Sequence, residues 1–385
     1  MDPVLQQLLD AEHQKQVSTI NLIASENFAT ETTLRPLSSC LSNKYAEGEP
    51  GDRCYPGVEI IDKIELLAMQ RLKQLYNLSD EWIINVQPLS GAPANLELLT
   101  ALFPLQSKVM MLTHDHGGHM SHGDAGSLIS KLFKVSQYYL GSNALLDYEH
   151  IKQRLSEEKP DVLIAGFSCY PRDIDYKTLK QLCTEANCHF HVDMAHIAGL
   201  VAAKLMSSPF IYADSVTTTT HKTLRGPRGG VIFSKTKCHS GVFPGVQAGP
   251  HMATVASVAQ AAFEAQQDSF KSYCAKTIQF SKLSGEWFVK NGFNVQTGGT
   301  DSHMILVETV IGAEELLGAE GIYVNGVHMV NGKHGVRMGW ACMASFGVGE
   351  AEVMLVCEAV KRVLNGERGQ EIQKIVQEVT KKFKY

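Results

Sequence analysis

Asp214-Ser215-Val216-Thr217-Thr218-Thr219-Thr220-His221-Lys222-Thr223-Leu224-Arg225-Gly226-Pro227-Arg228-Gly229-Gly230 carries a β-branched run into a lysine and then into a turn rich in Gly, Pro and Arg. β-Branched side chains suit a pleated, buried surface, so the run predicts a strand over 215–218 that ends just before Lys222. A lysine at such a tip, hemmed in by Thr and His, can form an imine with an aldehyde. A solvated surface lysine is the plainer reading, but the preceding strand and the tight glycine turn after it favour the chemical one.

Outward from this stretch the pattern repeats. Short apolar runs at 83–86, 108–112, 161–165, 189–192 and 231–234 predict further strands, and Ile64, Leu67, Ala68, Leu72 and Leu75 mark a helix over 62–76. Strands alternating with helices define an α/β fold with a mostly parallel sheet, whose ligand sits beyond the carboxyl ends of the strands. After about Gly249 the style changes to a long helical stretch over 254–288, strands over 293–295 and 304–308, and a helix near 350–364. The expected division is an N-terminal arm over 1–20, a large domain over 21–250 and a smaller α+β domain over 251–385. In the arm, Val4, Leu5, Leu8 and Leu9 form the apolar stripe of a short amphipathic helix suited to a partner subunit.

Composition narrows the class. The 385 residues are 44% hydrophobic and 19% charged, with 35 Lys+Arg against 40 Asp+Glu, which gives no electrostatic grip for nucleic acid. No apolar run is long enough to span a membrane. Nine scattered cysteines, never spaced as CxxC, argue against a disulfide framework or a zinc knuckle and for reduced thiols in a cytoplasm. The first residues lack the basic start and apolar core of an export signal.

Three more loops hold chemistry-bearing side chains. Val86-Gln87-Pro88-Leu89-Ser90-Gly91-Ala92-Pro93-Ala94-Asn95 ends a strand and opens a helix, where free N–H groups suit a phosphate; an ordinary turn would look the same. His114-Asp115-His116-Gly117-Gly118-His119-Met120-Ser121-His122 holds four histidines, but without a spacing that makes them converge on a metal, so an imidazole laid on a flat ring is the better reading. Val192-Asp193-Met194-Ala195-His196 puts a carboxylate at the tip of a buried strand, where it needs a cationic or donor partner or else caps a helix. A phosphate loop, a ring-stacking His, an acid at one strand tip and a lysine at a later one are together what pyridoxal phosphate requires. The loop anchors the phosphate, the acid keeps the pyridine nitrogen protonated and the lysine holds the aldehyde.

These residues resemble the serine hydroxymethyltransferase family of fold-type I pyridoxal-phosphate enzymes, from about Leu22 to Gly339. The motifs are Asn21-Leu22-Ile23-Ala24-Ser25-Glu26-Asn27, Asn43-Lys44-Tyr45-Ala46-Glu47-Gly48, His116-Gly117-Gly118-His119, Val192 to Ala202 and Thr217 to Gly230. The resemblance implies an aspartate aminotransferase-like fold with the cofactor covalently on Lys222, Asp193 on the pyridine nitrogen and His119 stacked on the ring. It also implies Ser90, Gly91 and Ala92 on the phosphate, Ser168 and His196 near the phenolic oxygen, Thr219 beside the lysine and Arg337 on the substrate carboxylate. Ser25, Tyr45, Glu47 and Tyr55 would handle an amino-acid substrate, with Glu47 and Tyr55 as catalytic candidates, and Gly249 would touch phosphate from the neighbouring subunit of a homodimer.

Several positions depart from the family pattern, mostly on the folate side. Cys54-Tyr55 stands where two tyrosines are usual, polar His114 and Asp115 precede the His-Gly-Gly-His run, Trp340-Ala341-Cys342 replaces Thr-Pro-Ala, and Pro93 and Ala248 are unusual. Two activities follow as expectations: serine–glycine interconversion with tetrahydrofolate, and a folate-independent aldolase or transaldolase acting on a β-hydroxy-α-amino acid. A catalytically dead regulatory subunit is disfavoured by intact Lys222 and Arg337.

Overall fold

The computed structural model describes residues Met1–Lys384, and contacts group them into two units. One is Ala29–Ser272; the other combines Met1–Phe28 with residues 273–384. The sequence-based division at residues 20 and 250 differs from this one at both borders. The helix Met252–Glu264 belongs with the first unit because it packs on the helix Glu59–Leu75, where Arg71 donates to the Ala259 carbonyl at 3.0 Å.

The first unit is built on a seven-stranded sheet in the order Ile83–Asn85, Gly230–Ser234, Ser215–Thr219, His189–Asp193, Val162–Ala165, Lys108–Leu112, Lys134–Tyr138. Gly230–Ser234 is antiparallel to both its neighbours, and the other pairings are parallel. Central strands such as Val162–Ala165 and Ser215–Thr219 are buried throughout, as a sheet covered on both faces demands. All six strands expected from sequence form. The seventh, Lys134–Tyr138, is an edge strand with an exposed first residue, and its mixed composition hides it from a search for apolar runs. Two apolar clusters flank the sheet, one around Leu99, Val109, Ile129, Phe133, Val162 and Ile164, the other around Ala94, Leu98, Ile232, Cys238 and Val242.

The second unit holds a three-stranded antiparallel sheet, Met304–Glu308, His334–Gly339 and Asn325–His328, in that order. The strand expected over 293–295 reduces to a single bridge between Val295 and Val307. The long helical stretch of the sequence is broken by Ala265–Gln267 into Met252–Glu264 and Asp268–Lys290. Residues Ile20 and Asn21 pair with Ile322 and Tyr323, and the Gly339 N–H donates to the Leu22 carbonyl at 2.7 Å. The N-terminal helix Pro3–Ser18 buries none of its residues, and Val4, Leu5, Leu8 and Leu9 are all exposed.

Candidate active site

Six of the seven strands run in one sense, so the loops after them collect at one edge of the first unit. Gly166, which follows Val162–Ala165, sits at φ +101°, and a Cβ there would lie 1.9 Å from the Asp193 carbonyl. Only glycine permits so close an approach between neighbouring strand ends. The next loop folds in the same way: the Ser168 N–H donates to the Gly117 carbonyl at 2.8 Å, tying Ser168 to the segment that carries His119.

Asp193 is the electrostatic centre. Its Oδ2 accepts from His122 Nε2 and from Asn95 Nδ2, both at 2.9 Å, and its Oδ1 accepts from the Ala195 N–H at 3.0 Å. Burial would push the carboxyl up; the His122 hydrogen bond and charge and the Asn95 donor outweigh it and hold the group far below the usual carboxylate range. The acid is partnered, as one sequence reading requires, but it caps no helix: its Oδ1 accepts from the Ala195 N–H, and the next helix, Ala198–Ala202, has Ile197 at its N-cap.

His119 is poised differently. Burial first, then the charges of His122 and Lys222, lower its pKa to about 4, so the ring is neutral at neutral pH. Its Nδ1 accepts from the Ser121 N–H at 3.1 Å and lies 2.7 Å from Ser121 Oγ. With Ser121 Oγ accepting from Asn95 Nδ2 at 2.9 Å, the hydroxyl proton points to His119 and the imidazole proton must sit on Nε2. The result is a neutral, orientation-locked ring. The other histidines of the cluster have separate tasks: His116 Nδ1 accepts from the Leu140 N–H at 3.0 Å, and His114 Nδ1 lies 3.1 Å from the Gly118 carbonyl.

Lys222 is 7 % exposed in the turn after Ser215–Thr219. Thr223 secures that turn: its Oγ1 donates to the His196 carbonyl at 2.8 Å and accepts from the Gly199 N–H at 3.0 Å, joining buried His196 to the lysine segment. On the other side, a Cβ on Gly91 would meet Thr219 Cγ2 at 2.6 Å, so the loop of Ser90, Gly91 and Ala92 lies directly against Thr219. The helix Gly91–Leu102 opens there, and the Ser90 side chain makes no capping bond to it. Thr219 Oγ1 is buried without a hydrogen-bond partner. An unused hydroxyl, an uncapped serine and free N–H groups at a helix start are a fit for a phosphate.

A second cluster in the same unit gathers Tyr45, Glu47, Tyr55 and Gly249. Tyr45 and Tyr55 meet edge to face at 5.3 Å, and a Cβ on Gly249 would strike the Tyr45 ring at 2.7 Å. The charge of Glu47, then desolvation, raises the Tyr55 phenol. Arg53 holds this hairpin: it donates to Asp62 at 2.8 Å, to Glu65 at 2.6 Å and to the carbonyls of Ala46 and Gly48 at 2.8 and 2.6 Å. In the other unit, Arg337 is 8 % exposed and donates through Nη2 to Asn325 at 2.7 Å, while half-buried Ser25 follows Ala24, which packs on Gly339.

Sequence reasoning passed over His122, Asn95, Thr217 and Arg53. His122 was within reach as a second histidine three residues after His119. Asn95 and Thr217 depend on which elements become neighbours across the sheet, and Arg53 on its enclosure between the hairpin and the helix Glu59–Leu75. Thr217 Oγ1 donates to Asn95 Oδ1 at 2.6 Å and must accept from His191 Nε2 at 3.1 Å; His191 Nδ1 then accepts from Ser215 Oγ at 2.9 Å, which lies 2.8 Å from His189 Nε2. Each donor in this chain points toward Asp193, an alignment that reinforces its negative charge.

An ionised acid at one strand tip, a neutral imidazole, a buried lysine and a phosphate-ready loop define a pyridoxal-phosphate-dependent enzyme of the fold-type I class. A family model described as serine hydroxymethyltransferase matches residues 1–360. The serine hydroxymethyltransferase of Desulfotalea psychrophila is 39% identical over 395 residues, covering 98% of this chain and 92% of that one. The chain belongs to the serine hydroxymethyltransferase family, whose members are pyridoxal-phosphate-dependent transferases.

Proposed function

We propose that this chain interconverts serine and glycine, with pyridoxal phosphate held covalently by Lys222 and tetrahydrofolate as the one-carbon carrier. The observation that carries the reading is Asp193, kept ionised by His122 and Asn95 in the loop cluster that also holds His119 and Lys222. When bound, the cofactor supplies an electron sink for the bond broken at the substrate α-carbon.

The chain's own residues do the rest. Ser90 with the Gly91 and Ala92 N–H groups and the Thr219 hydroxyl bind phosphate, and Gly249 completes that site across a homodimer. Asp193 fixes a proton on the pyridine nitrogen, the neutral His119 ring stacks on it, and Ser168 and His196 orient the phenolic oxygen. Arg337 holds the substrate carboxylate with paired donors, and Ser25 and Tyr45 bind the same substrate, so that the bond to be broken is aligned. Glu47 and Tyr55 move the proton of the side-chain hydroxyl. The exposed apolar stripe of the N-terminal helix supports the homodimer, and nine free thiols suit a cytoplasmic setting. No helix among the described residues is long and apolar enough to cross a membrane.

The folate-independent aldolase suggested by Cys54, His114 and Trp340 is not the reading that the family relationship favours. The test is glycine release from serine by cofactor-loaded protein, with and without tetrahydrofolate. Release that depends on folate supports the proposal; indifference to folate together with rapid threonine cleavage overturns it.

A further inference from the structure

Away from the site, the turn between the helix Tyr176–Glu185 and the strand His189–Asp193 presses two cysteines together. Asn187 takes a left-handed φ of +51°. Its N–H donates to the Thr184 carbonyl at 3.2 Å, and the Cys188 N–H donates to the Cys183 carbonyl at 2.8 Å. This nested pair of bonds is the Schellman closure of a helix, with Ala186 at the C-cap. It brings the side chain of the third residue before the cap against that of the second residue after it, normally an apolar contact. Here both positions are cysteine.

Cys188 lies near enough that it and burial together keep the Cys183 thiol protonated well above the ordinary thiol range, while Cys188 Sγ itself donates to the His189 carbonyl at 3.6 Å. Cys183 is fully buried and Cys188 is 6 % exposed, beside the exposed Thr184, Glu185 and Asn187. Cys188 is thus the nearer to solvent at a helix end, where fraying opens a path. The Schellman bonds already hold the two backbones together in the reduced state, and bond formation requires Cys188 Sγ to leave the His189 carbonyl and turn to Cys183.

We propose that Cys183 and Cys188 form a reversible dithiol–disulfide site that exchanges with small-molecule disulfides of the glutathione type. Cys188, as thiolate, attacks one sulfur of the small disulfide and releases one thiolate, leaving a mixed disulfide. Cys183 then loses its proton and its sulfur attacks Cys188 Sγ, expelling the second thiolate. Two electrons pass from the pair to the small disulfide, and the two protons end on the two released thiols.

The test uses the holoenzyme in buffers of reduced and oxidised glutathione at graded ratios, followed by acid quench, alkylation and tryptic mapping. Cleavage after Lys180 and Lys204 releases a peptide that contains Cys183 and Cys188 and no other cysteine. The expected result is loss of both alkylation sites from that peptide, with the mass deficit of one disulfide, in a fraction that follows the buffer ratio and is reversed by dithiothreitol. Cys183→Ala should stop at the mixed disulfide on Cys188. A wild-type peptide that stays fully alkylated in buffers that oxidise free dithiothreitol, or that accumulates as the glutathione adduct, overturns the proposal and leaves the pair as an apolar helix-end contact.

Discussion

His122 Nε2 donates to Asp193 Oδ2 across 2.9 Å, with the two side chains 2% and 9% exposed. The bond joins the loop after Lys108–Leu112 to the tip of His189–Asp193, two strands that are not adjacent in the sheet. Replacing His122 with Phe removes the largest influence that lowers the Asp193 carboxyl, so that group rises toward neutrality. The expected outcome is a fall in turnover of roughly tenfold or more and an acid limb of the pH–rate profile displaced to higher pH. An unmoved acid limb would show that Asp193 does not depend on this partner.

Lys222→Ala should abolish serine turnover while the fold persists. Borohydride treatment of the cofactor-loaded wild type followed by peptide mapping should mark Lys222. Trapping at another lysine would refute its assignment.

Arg53 and Glu65 are both almost fully enclosed, with side chains 3% and 4% exposed. Arg53→Ala leaves Glu65 as an unpaired buried charge and frees two backbone carbonyls of the hairpin that carries Glu47 and Tyr55. Breaking such a pair costs roughly 3–5 kcal/mol. Denaturant unfolding measures that loss, and steady-state kinetics on the surviving folded fraction should show serine turnover impaired.

Glu97 has both carboxyl oxygens buried without a partner, and burial raises its pKa to about 8. An unfolded glutamate titrates near pH ~4.3, so between that value and about 8 the native state binds more protons than the unfolded one. Stability therefore falls as pH rises through this window and levels off above it. Glu97→Gln removes the slope and should stabilise the protein at pH 8 and above by roughly 2–4 kcal/mol. Thermal melts of both proteins from pH 5 to ~9 read this directly; parallel curves would exclude the assignment.

Gly91→Ala would drive a methyl group into Thr219 Cγ2 at 2.6 Å. Two rigid elements meet there, so the phosphate loop must retreat. The expected effect is weaker pyridoxal phosphate binding, measured by equilibrium dialysis, with secondary structure retained.

Most of the large sheet was legible because its strands are local events. Ser215–Thr219 announces itself through consecutive β-branched residues, and Val162–Ala165 through an unbroken apolar run. Lys134–Tyr138 was not legible, because an edge strand draws its stability from one neighbour rather than from apolar side chains of its own. Arg53 was equally silent: an arginine near Asp and Glu is ordinary in any sequence, and its importance comes from enclosure with Asp62, Glu65 and two carbonyls.

By itself the sequence determined the chemistry on offer: a lysine after a strand, an acid at a strand tip, a small-residue loop before a helix and the motifs of a family. Those are properties of residues close in the chain, set by backbone sterics and side-chain type. Only the tertiary structure decided the charge states, holding Asp193 ionised and His119 neutral in loops tens of residues apart. Desolvation and hydrogen bonding depend on what surrounds a group from every side, and that surrounding exists only once the strands have taken their order in the sheet.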